Sequence, residues 1–278
     1  MRRREPPQDF SSRKAIILNR EPKIFYYTDP LRDDFAEMGI QKRTVDDTFS
    51  FVHNGKVWRL VSGALYYGLG APFGLLISKI WFDVRIRNRQ ALKGLKDGYF
   101  LYGNHTQAFT DAVCPGLMSL PRRTYVVAGA ESVSIKGIAW LVQMLGGLIL
   151  PTKPSGMRSF LQAVEQRCRE KSAIMIYPEA HLWPYYTGVR PFADASFAYP
   201  VKFGKPVVGV VTTYRKRALS FLPPAITITV SDPFYRDEAL DDRAARRKLR
   251  DQVYAFMCAH TDENEVEYVR YLPKGPKA

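Results

Sequence analysis

Two side chains that can move a proton, His105 and Asp111, stand in the stretch Tyr99–Asp111 with five residues between them. The stretch opens with the apolar run Tyr99–Tyr102, and a Gly-Asn turn follows it, which predicts a short buried strand. His105 would then follow the end of the strand, and Asp111 would lie in the first turns of the next helix. An imidazole acts as a general base when a carboxylate orients its second nitrogen and offsets its charge.

The pair by itself leaves two interpretations open. A loop histidine followed by a helix-capping aspartate has the same spacing and needs no catalysis. In α/β enzymes, however, reactive side chains collect at the carboxyl ends of strands, which is where the pattern puts His105. The choice between these two interpretations depends on the rest of the sequence.

The composition is that of a globular protein with an anionic partner. The chain has 278 residues, 46% hydrophobic and 24% charged, and its 41 Lys and Arg against 27 Asp and Glu give a formal net charge of +14. This charge favours a nucleic acid, an anionic membrane surface or a phosphorylated substrate. The three cysteines (114, 168 and 258) are scattered, which predicts neither a disulfide framework nor a zinc site. The basic first residues, to about 14, predict a loose arm without a signal peptide, and hence a cytoplasmic location.

The most hydrophobic part of the chain is the segment 58–82, which holds no charge between Arg59 and Lys79. Its length would just span a bilayer, but its glycines weaken a helix and Pro72 predicts a break near the middle. We therefore expect two short helices that dip into one leaflet, which makes the protein peripheral or monotopic on the cytoplasmic face of the cell membrane. A buried core hairpin and a single spanning helix are the alternatives.

Beyond this segment, apolar runs that predict strands alternate with stretches that predict helices. The predicted strands are 82–87, 99–102, 124–128, 146–150, 173–177, 206–213 and 225–230, and the predicted helices are 108–120, 138–145, 157–171, one that closes at 199–203, and 237–260. The alternation favours a single α/β domain with a mixed, mainly parallel β-sheet flanked by helices, preceded by the N-terminal membrane-associating helical segment. The expected regions are an irregular basic lead-in with one or two short helices (1–57), the hydrophobic segment (58–82), the α/β core (83–235), and a C-terminal amphipathic helix and tail (236–278).

Four separated blocks of sequence stand in a fixed order. They are Tyr102–Asp111, with Asn-His near its start and Asp at its end; Val126–Lys153, which ends in a short strand and a basic residue; Ile176–Phe192, with Pro-Glu and a trailing Gly-x-x-Pro-Phe; and the proline-bearing strand Pro206–Val211. Together they resemble the blocks of the glycerolipid acyltransferases, the 1-acylglycerol-3-phosphate acyltransferase-like family, whose first and third blocks read Asn-His-x4-Asp and Phe-Pro-Glu-Gly-Thr-Arg. The resemblance covers about residues 60 to 235.

The resemblance implies an O-acyltransferase that moves an acyl group from a thioester to the hydroxyl of a lysophospholipid, in phospholipid biosynthesis. His105 would take the proton of the hydroxyl, and Asp111 would hold the imidazole in the useful tautomer. No nucleophilic Ser or Cys is needed when the hydroxyl attacks the thioester directly. The donor would be acyl-CoA or acyl carrier protein. The other partners would be the acceptor and the phospholipid bilayer, with no nucleic acid, no bound cofactor and no metal.

A phosphate on the acceptor needs positive charge, which the resemblance assigns to Lys153 at the end of the second block. Arg158 and Arg190 are further cationic candidates nearby. The resemblance gives Glu179 a part in acceptor binding and in the organisation of the site. The full set of predicted substrate-binding residues is Asn104, Lys153, Arg158, Glu179, His181 and Arg190.

Three departures from the family pattern bear on the acceptor and on the pair. Five residues, not four, separate His105 from Asp111; either the turn carries one extra residue, or Thr110 occupies the family position and the pair is weakened. We retain Asp111. The tripeptide 180–182 (Ala-His-Leu) replaces Gly-Thr-Arg and removes a phosphate-contacting arginine. Lys153 replaces an arginine, so a compact ammonium charge stands in place of a planar guanidinium that can donate two parallel hydrogen bonds. The resemblance implies a 1-acylglycerol-3-phosphate-like acceptor such as lysophosphatidic acid, and the departures leave two alternatives open: another lysophospholipid, or an acceptor that is not a glycerophosphate.

Two other functions are weighed against the acyltransferase. The altered spacing is compatible with a catalytically silent member of the fold that binds lipid or a protein partner. A nucleic-acid-binding protein would explain the net charge, but no nucleic-acid motif is present and the hydrophobic segment has no part in that function. His181 either contacts substrate or fills its loop, while His53 and His260 are ordinary packing or surface residues. The cations of the terminal helix form a solvated face or attract anionic headgroups.

Overall fold

The computed structural model describes residues 21–35, 43–134, 137–219 and 221–275. The strands are β1 (Lys23–Tyr27), β2 (Arg85–Arg87), β3 (Tyr99–Gly103), β4 (Thr124–Ala128), β5 (Gly147–Ile149), β6 (Ala173–Ile176), β7 (Val207–Arg215), β8 (Ala225–Val230) and β9 (Val269–Pro273). The helices are α1 (Lys56–Gly63), a π-helical segment (Ala64–Gly70), α2 (Ala71–Ile80), α3 (Gln90–Lys93), α4 (Ala108–Ser119), α5 (Ala139–Met144), α6 (Met157–Arg169), α7 (Ala198–Phe203) and α8 (Asp242–Ala259). The basic arm expected at residues 1–14 lies outside the described residues.

Seven strands form one sheet in the order β2-β8-β7-β3-β6-β4-β5. All neighbours are parallel except β7 and β8, which are antiparallel. The prediction of a mixed, mainly parallel sheet flanked by helices is therefore confirmed. Because β3 to β7 run in the same direction, their carboxyl ends meet at one edge of the sheet, which we call the carboxyl edge.

Both faces of the sheet are covered, which explains why its central strands read as unbroken apolar runs. Along β3, Phe100 and Tyr102 point into a core with α6 and α8, while Tyr99 and Leu101 point into a second core with α4. Every residue of β3 is buried. The alternation along one strand thus supplies two cores and fixes the strand in register.

The segments α1, π-helix and α2 form one continuous apolar helix, Lys56–Ile80. The expected break at Pro72, with two short helices, is wrong. The backbone N–H of Ala71 bonds to the carbonyl of Tyr66, five residues back, so the turn before the proline is π-helical. Pro72 then stands in the first turn of α2, directly after the π-helical segment, and the helix continues past it. The 25 residues extend over about 37 Å.

One face of the apolar helix packs on the domain, and the opposite face is exposed. Residues at four-residue intervals form the packed face: Ser62, Tyr66, Gly70, Gly74 and Ser78. The fit is close, since a Cβ added to Gly74 would lie 2.4 Å from Cγ1 of Val113 in α4. The exposed face presents large apolar side chains, each at least half exposed: Val57, Leu60, Leu69, Phe73, Leu76 and Ile80. By length and composition, this is the one helix among the described residues that could cross a membrane.

The two ends of the described chain meet in a second, two-stranded parallel sheet of β1 and β9. The expected short helices of the lead-in are not found in its described residues, where β1 is the regular element. The expected C-terminal tail likewise contains β9. Local patterns do not reveal this pairing because its partners, such as Phe25 and Tyr271, are far apart in the chain.

Candidate active site

The end of β3 is fixed to the neighbouring strand β7 by one side chain. The Asn104 amide nitrogen donates to the Thr212 carbonyl (3.1 Å), and the Thr212 backbone N–H donates to the Asn104 side-chain oxygen (2.8 Å). Asn104 is buried, so both of its polar groups are used inside the protein. This corrects the prediction that Asn104 contacts substrate, because the side chain instead holds the backbone in place where the turn to His105 begins.

His105 and Asp111 are in contact. Nδ1 of His105 lies 2.8 Å from Oδ2 of Asp111, and the same oxygen accepts the backbone N–H groups of Thr106 and Gln107, both at 3.0 Å. Asp111 is buried, while 23% of the His105 side chain remains exposed. The turn curls around the Asp111 carboxylate and accommodates the fifth residue between His105 and Asp111, one more than in the family pattern. Asp111, and not Thr110, therefore contacts the imidazole. Because Nδ1 is engaged, Nε2 is the ring nitrogen left for chemistry.

The imidazole rests on a tyrosine that the sequence analysis missed. The rings of His105 and Tyr177 stack with their centroids 4.5 Å apart and an angle of 20° between planes. The Tyr177 hydroxyl donates to the backbone carbonyl of Asp111 at 2.7 Å. Burial raises the pKa of Tyr177 well above its ordinary value, which keeps the phenol neutral. Its position directly after the buried strand β6, beside the Pro-Glu of the third block, was the signal available in the sequence.

Glu179 is buried and holds the backbone on both sides of the site. Its carboxylate accepts the backbone N–H of His105 (3.2 Å), the backbone N–H of Arg190 (2.9 Å) and the Arg190 guanidinium (3.2 Å). Burial raises the pKa of Glu179, and the charge of Arg190 opposes that rise. These contacts give Glu179 a positioning role, since it fixes the residue that carries the imidazole.

Arg190 is only 2% exposed, which corrects the expectation that it offers its charge to a phosphate. Its guanidinium donates to the Glu179 carboxylate, to the backbone carbonyls of His181 and Pro30, and lies over the Trp183 ring at 5.0 Å. A buried guanidinium needs this set of acceptors, because an unpaired charge inside a protein is costly. Arg190 therefore belongs to the internal scaffold of the site.

The third block is held in place by segments near the two ends of the described residues. Trp183 donates its backbone N–H to the His105 carbonyl (3.1 Å) and its indole N–H to the Asp33 carbonyl (2.7 Å). Its ring stacks on Tyr271 of β9 (4.7 Å), whose hydroxyl donates to the Pro184 carbonyl (2.9 Å). The β1–β9 sheet thus supports the loop that positions His105, a role that no local pattern indicated.

The remaining predicted residues lie on the surface. His181 is partly exposed and pairs with Asp34 at 3.4 Å. Lys153 and Arg158 are exposed and follow β5, which is separated from β3 by β6 and β4, so the two strand ends are about 14 Å apart. Among the described residues, no hydrogen bond or ion pair joins Lys153 or Arg158 to the His105–Asp111 pair, which we call the dyad. Any contact with the same substrate must therefore bridge that distance.

Two cavities of the structure lie away from the dyad. The larger, about 570 Å³, opens where β3, β4 and β6 begin, at the edge opposite to His105, and Leu95, Arg123 and Ser172 are among its lining residues. The second, about 320 Å³, adjoins it and shares Arg123 and Ser172. Neither is lined by His105 or Asp111.

Comparison with known proteins places this geometry in context. Residues 83–213, nearly half of the chain, match the family model described as acyltransferase. No curated protein sequence matches the chain. Among solved structures, the chain is similar to the crystal structure of the 1-acyl-sn-glycerophosphate (LPA) acyltransferase PlsC from Thermotoga maritima, with 16% sequence identity and a TM-score of 0.48 over 74% of this chain and 93% of that chain. The family-model range contains the dyad and the Glu179–Arg190 pair.

Proposed function

We propose that this chain is an O-acyltransferase of the glycerolipid type that acylates the hydroxyl of a lysophospholipid, with His105 as the general base; the match of residues 83–213 to the acyltransferase family model supports this. The observation that carries the proposal is the contact between Nδ1 of His105 and the buried Asp111 carboxylate at 2.8 Å. It fixes the tautomer, and Nε2 then carries the lone pair that accepts a proton. The partly exposed imidazole is open to an incoming hydroxyl.

The proposed reaction is a direct transfer. The acceptor oxygen attacks the carbonyl carbon of the thioester while its proton passes to Nε2 of His105, and a tetrahedral intermediate forms. Asp111 stabilises the imidazolium that results. Collapse of the intermediate breaks the carbon–sulfur bond, and the departing thiolate takes the proton from the imidazolium. The products are the ester and the free thiol of coenzyme A or of acyl carrier protein.

A covalent acyl-enzyme on cysteine has no support near the dyad. Cys114 is buried in α4, where its Sγ lies 3.7 Å from the Ser78 hydroxyl. Burial raises the pKa of the Cys114 thiol to about 12, so at neutral pH it is protonated and poorly nucleophilic. This supports direct attack by the acceptor.

We assign the acceptor to the lysophospholipids, with Lys153 and Arg158 as the exposed cations for its headgroup. Both follow β5 at the carboxyl edge, the same edge as His105. Their separation from the dyad and the lack of the family's arginine in the third block favour a headgroup larger than a bare phosphate. The product would be a membrane phospholipid, which puts the enzyme in phospholipid biosynthesis.

The apolar helix supports attachment to one leaflet. Both of its halves are fixed to the domain, since the Ser62 hydroxyl donates to the Met144 carbonyl (2.8 Å) and Gly74 fits closely against Val113. A helix held along its length cannot cross the bilayer unless it leaves the domain. We therefore propose that it lies in the plane of the cytoplasmic leaflet with its exposed face in the lipid.

The test measures thiol release from a panel of acyl-CoA and acyl-carrier-protein donors, with lysophospholipids of different headgroups as acceptors. Wild type should release thiol only when an acceptor is present, and the mass of the lipid product identifies the headgroup. His105→Ala should abolish the release. His260→Ala is the matched control, because His260 caps the end of α8 through the Phe256 carbonyl and has no contact with the dyad among the described residues.

Two outcomes would contradict the proposal. Thiol release by folded His105→Ala at the wild-type rate would remove the general-base assignment. Absence of release from folded wild type with every donor and acceptor would remove the proposed substrates.

A further inference from the structure

The loop that joins β7 to β8, residues 216–224, carries two apolar side chains that are more than half exposed. Phe221 is 76% exposed and Leu219 is 51% exposed, in the same range as the exposed face of the apolar helix. A soluble protein surface tolerates isolated apolar residues, but a contiguous group marks a contact surface. The loop is also bonded to the end of the apolar helix, where two further apolar side chains are exposed.

The loop is fixed to the end of the apolar helix. The Arg217 guanidinium donates to the backbone carbonyls of Ile80 (2.9 Å) and Trp81 (2.6 Å), which are among the last carbonyls of that helix. Ile80 and Trp81 are themselves 62% and 51% exposed. We call the four exposed residues Ile80, Trp81, Leu219 and Phe221 the apolar tip; Ser220, within the loop, lies outside the described residues.

The apolar tip stands at the carboxyl edge, where the dyad lies. β7 is parallel to β3, so the loop after β7 leaves the sheet at the edge from which His105 projects. The helix end is also close to the dyad's helix, since the rings of Phe82 and Phe109 stack at 5.8 Å and Phe109 lies in the first turn of α4. A surface that engages the tip would therefore face the catalytic residues.

The charges around the tip identify the chemistry of its partner. The loop 216–224 contains two cations, Lys216 and Arg217, and no acidic residue. Lys79 adds a third positive charge at the helix end. Apolar side chains flanked by cations match the interface of an anionic bilayer, in which rings enter the acyl boundary and cations meet the headgroups.

We propose that the apolar tip inserts into an anionic membrane and presents the carboxyl edge, with its dyad, to the lipid phase. The inference rests on the proposed function in one respect: the membrane holds the lipid acceptor. The apolar helix supplies the broad contact, and the tip sets the orientation by adding a second contact at the helix end. Arg217 couples the two, because it bonds the loop to the helix carbonyls.

The experiment compares full-length wild type with Phe221→Ser and Leu219→Ser in sedimentation with vesicles of phosphatidylglycerol and phosphatidylcholine. The matched control is Tyr235→Ser, because Tyr235 is 62% exposed but follows Phe234, which pairs with the first residue of β7 at the opposite edge. Phe221→Ser should weaken partition about tenfold, as expected for one aromatic ring removed from the interface. Tyr235→Ser should match wild type, and Phe221→Trp should restore binding. Vesicles of phosphatidylcholine alone should bind wild type more weakly, since the cations then lack anionic headgroups.

A second readout separates orientation from chemistry. Thiol release with a water-soluble short-chain acceptor should be unchanged in Phe221→Ser, whereas KM for acceptor in vesicles should rise with the partition loss. Equal vesicle partition of Phe221→Ser and Tyr235→Ser would overturn the inference. So would a wild-type dimer that Phe221→Ser dissociates without any effect on vesicle binding, because the tip would then bind a second copy. If no variant releases thiol, the proposed function fails, while vesicle partition still decides the role of the tip.

Discussion

Replacement of Arg190 by methionine tests whether the buried Glu179–Arg190 ion pair holds the loop that carries His105. Methionine keeps an unbranched apolar stem against Trp183 but removes the cation from Glu179, whose carboxylate would remain buried. Loss of one partner of a buried pair costs about 3 kcal/mol or more of unfolding free energy, because the other charge is left uncompensated. For a chain of this size, that corresponds to a fall in Tm of about 6–10 °C.

The pH dependence of Arg190→Met has a definite sign. Burial already raises the pKa of Glu179 above its ordinary 4.5, and Arg190 limits the rise, so its removal raises that pKa further. A folded-state pKa above the unfolded value contributes stability that is complete below about pH 4.5 and is lost as pH rises through the folded pKa. The variant should therefore lose stability from pH 5 to pH 8 more steeply than wild type.

The assay is thermal and urea unfolding at pH 5, 6.5 and 8, together with thiol release. Glu179→Gln/Arg190→Met is the matched control, because it removes both charges and should recover at least half of the lost stability and flatten the pH dependence. Activity of the single variant should fall, since the Glu179 carboxylate also accepts the His105 backbone N–H. Wild-type stability of Arg190→Met at pH 8, or additive effects in the double variant, would refute this reasoning.

Three further predictions concern the dyad, the nearby thiol and the packed face of the apolar helix. Asp111→Asn should lower kcat by about a thousandfold or more with the fold retained, because an amide does not stabilise the imidazolium; thiol release and circular dichroism check this, and a tenfold effect would be too small. Cys114→Ser should keep kcat within a few fold, and iodoacetamide at pH 8 should leave Cys114 unmodified in the folded protein by mass spectrometry; complete loss of activity would point to an acyl-enzyme. Gly74→Ala should lower Tm, because its Cβ would meet Val113. A Cβ added at Gly68 meets nothing within 4 Å, so Gly68→Ala should raise the free energy of unfolding by about 1 kcal/mol through helix propensity, and Tm with it. Equal Tm shifts in the two variants would contradict the close packing at Gly74.

The sequence by itself determined the elements whose causes are local. The buried strand at Tyr99–Gly103, the turn that follows it and the helix from Ala108 were all predicted within a residue or two, because apolar runs and turn residues act over a few positions. The alternation of such elements was enough for the α/β class. The order of His105 and Asp111 around the turn was likewise visible, since both belong to one strand–turn–helix unit.

The tertiary structure decided which side chains face substrate and which hold the scaffold. Asn104 is bonded to Thr212, 108 positions away, and a buried Glu179 keeps Arg190 inside the protein. Whether a polar side chain is buried depends on what other elements cover it, which no local pattern contains. For the same reason, one continuous helix passes Pro72: a π-helical segment precedes the proline, and the helix packs on the domain through Ser62, Gly74 and Ser78.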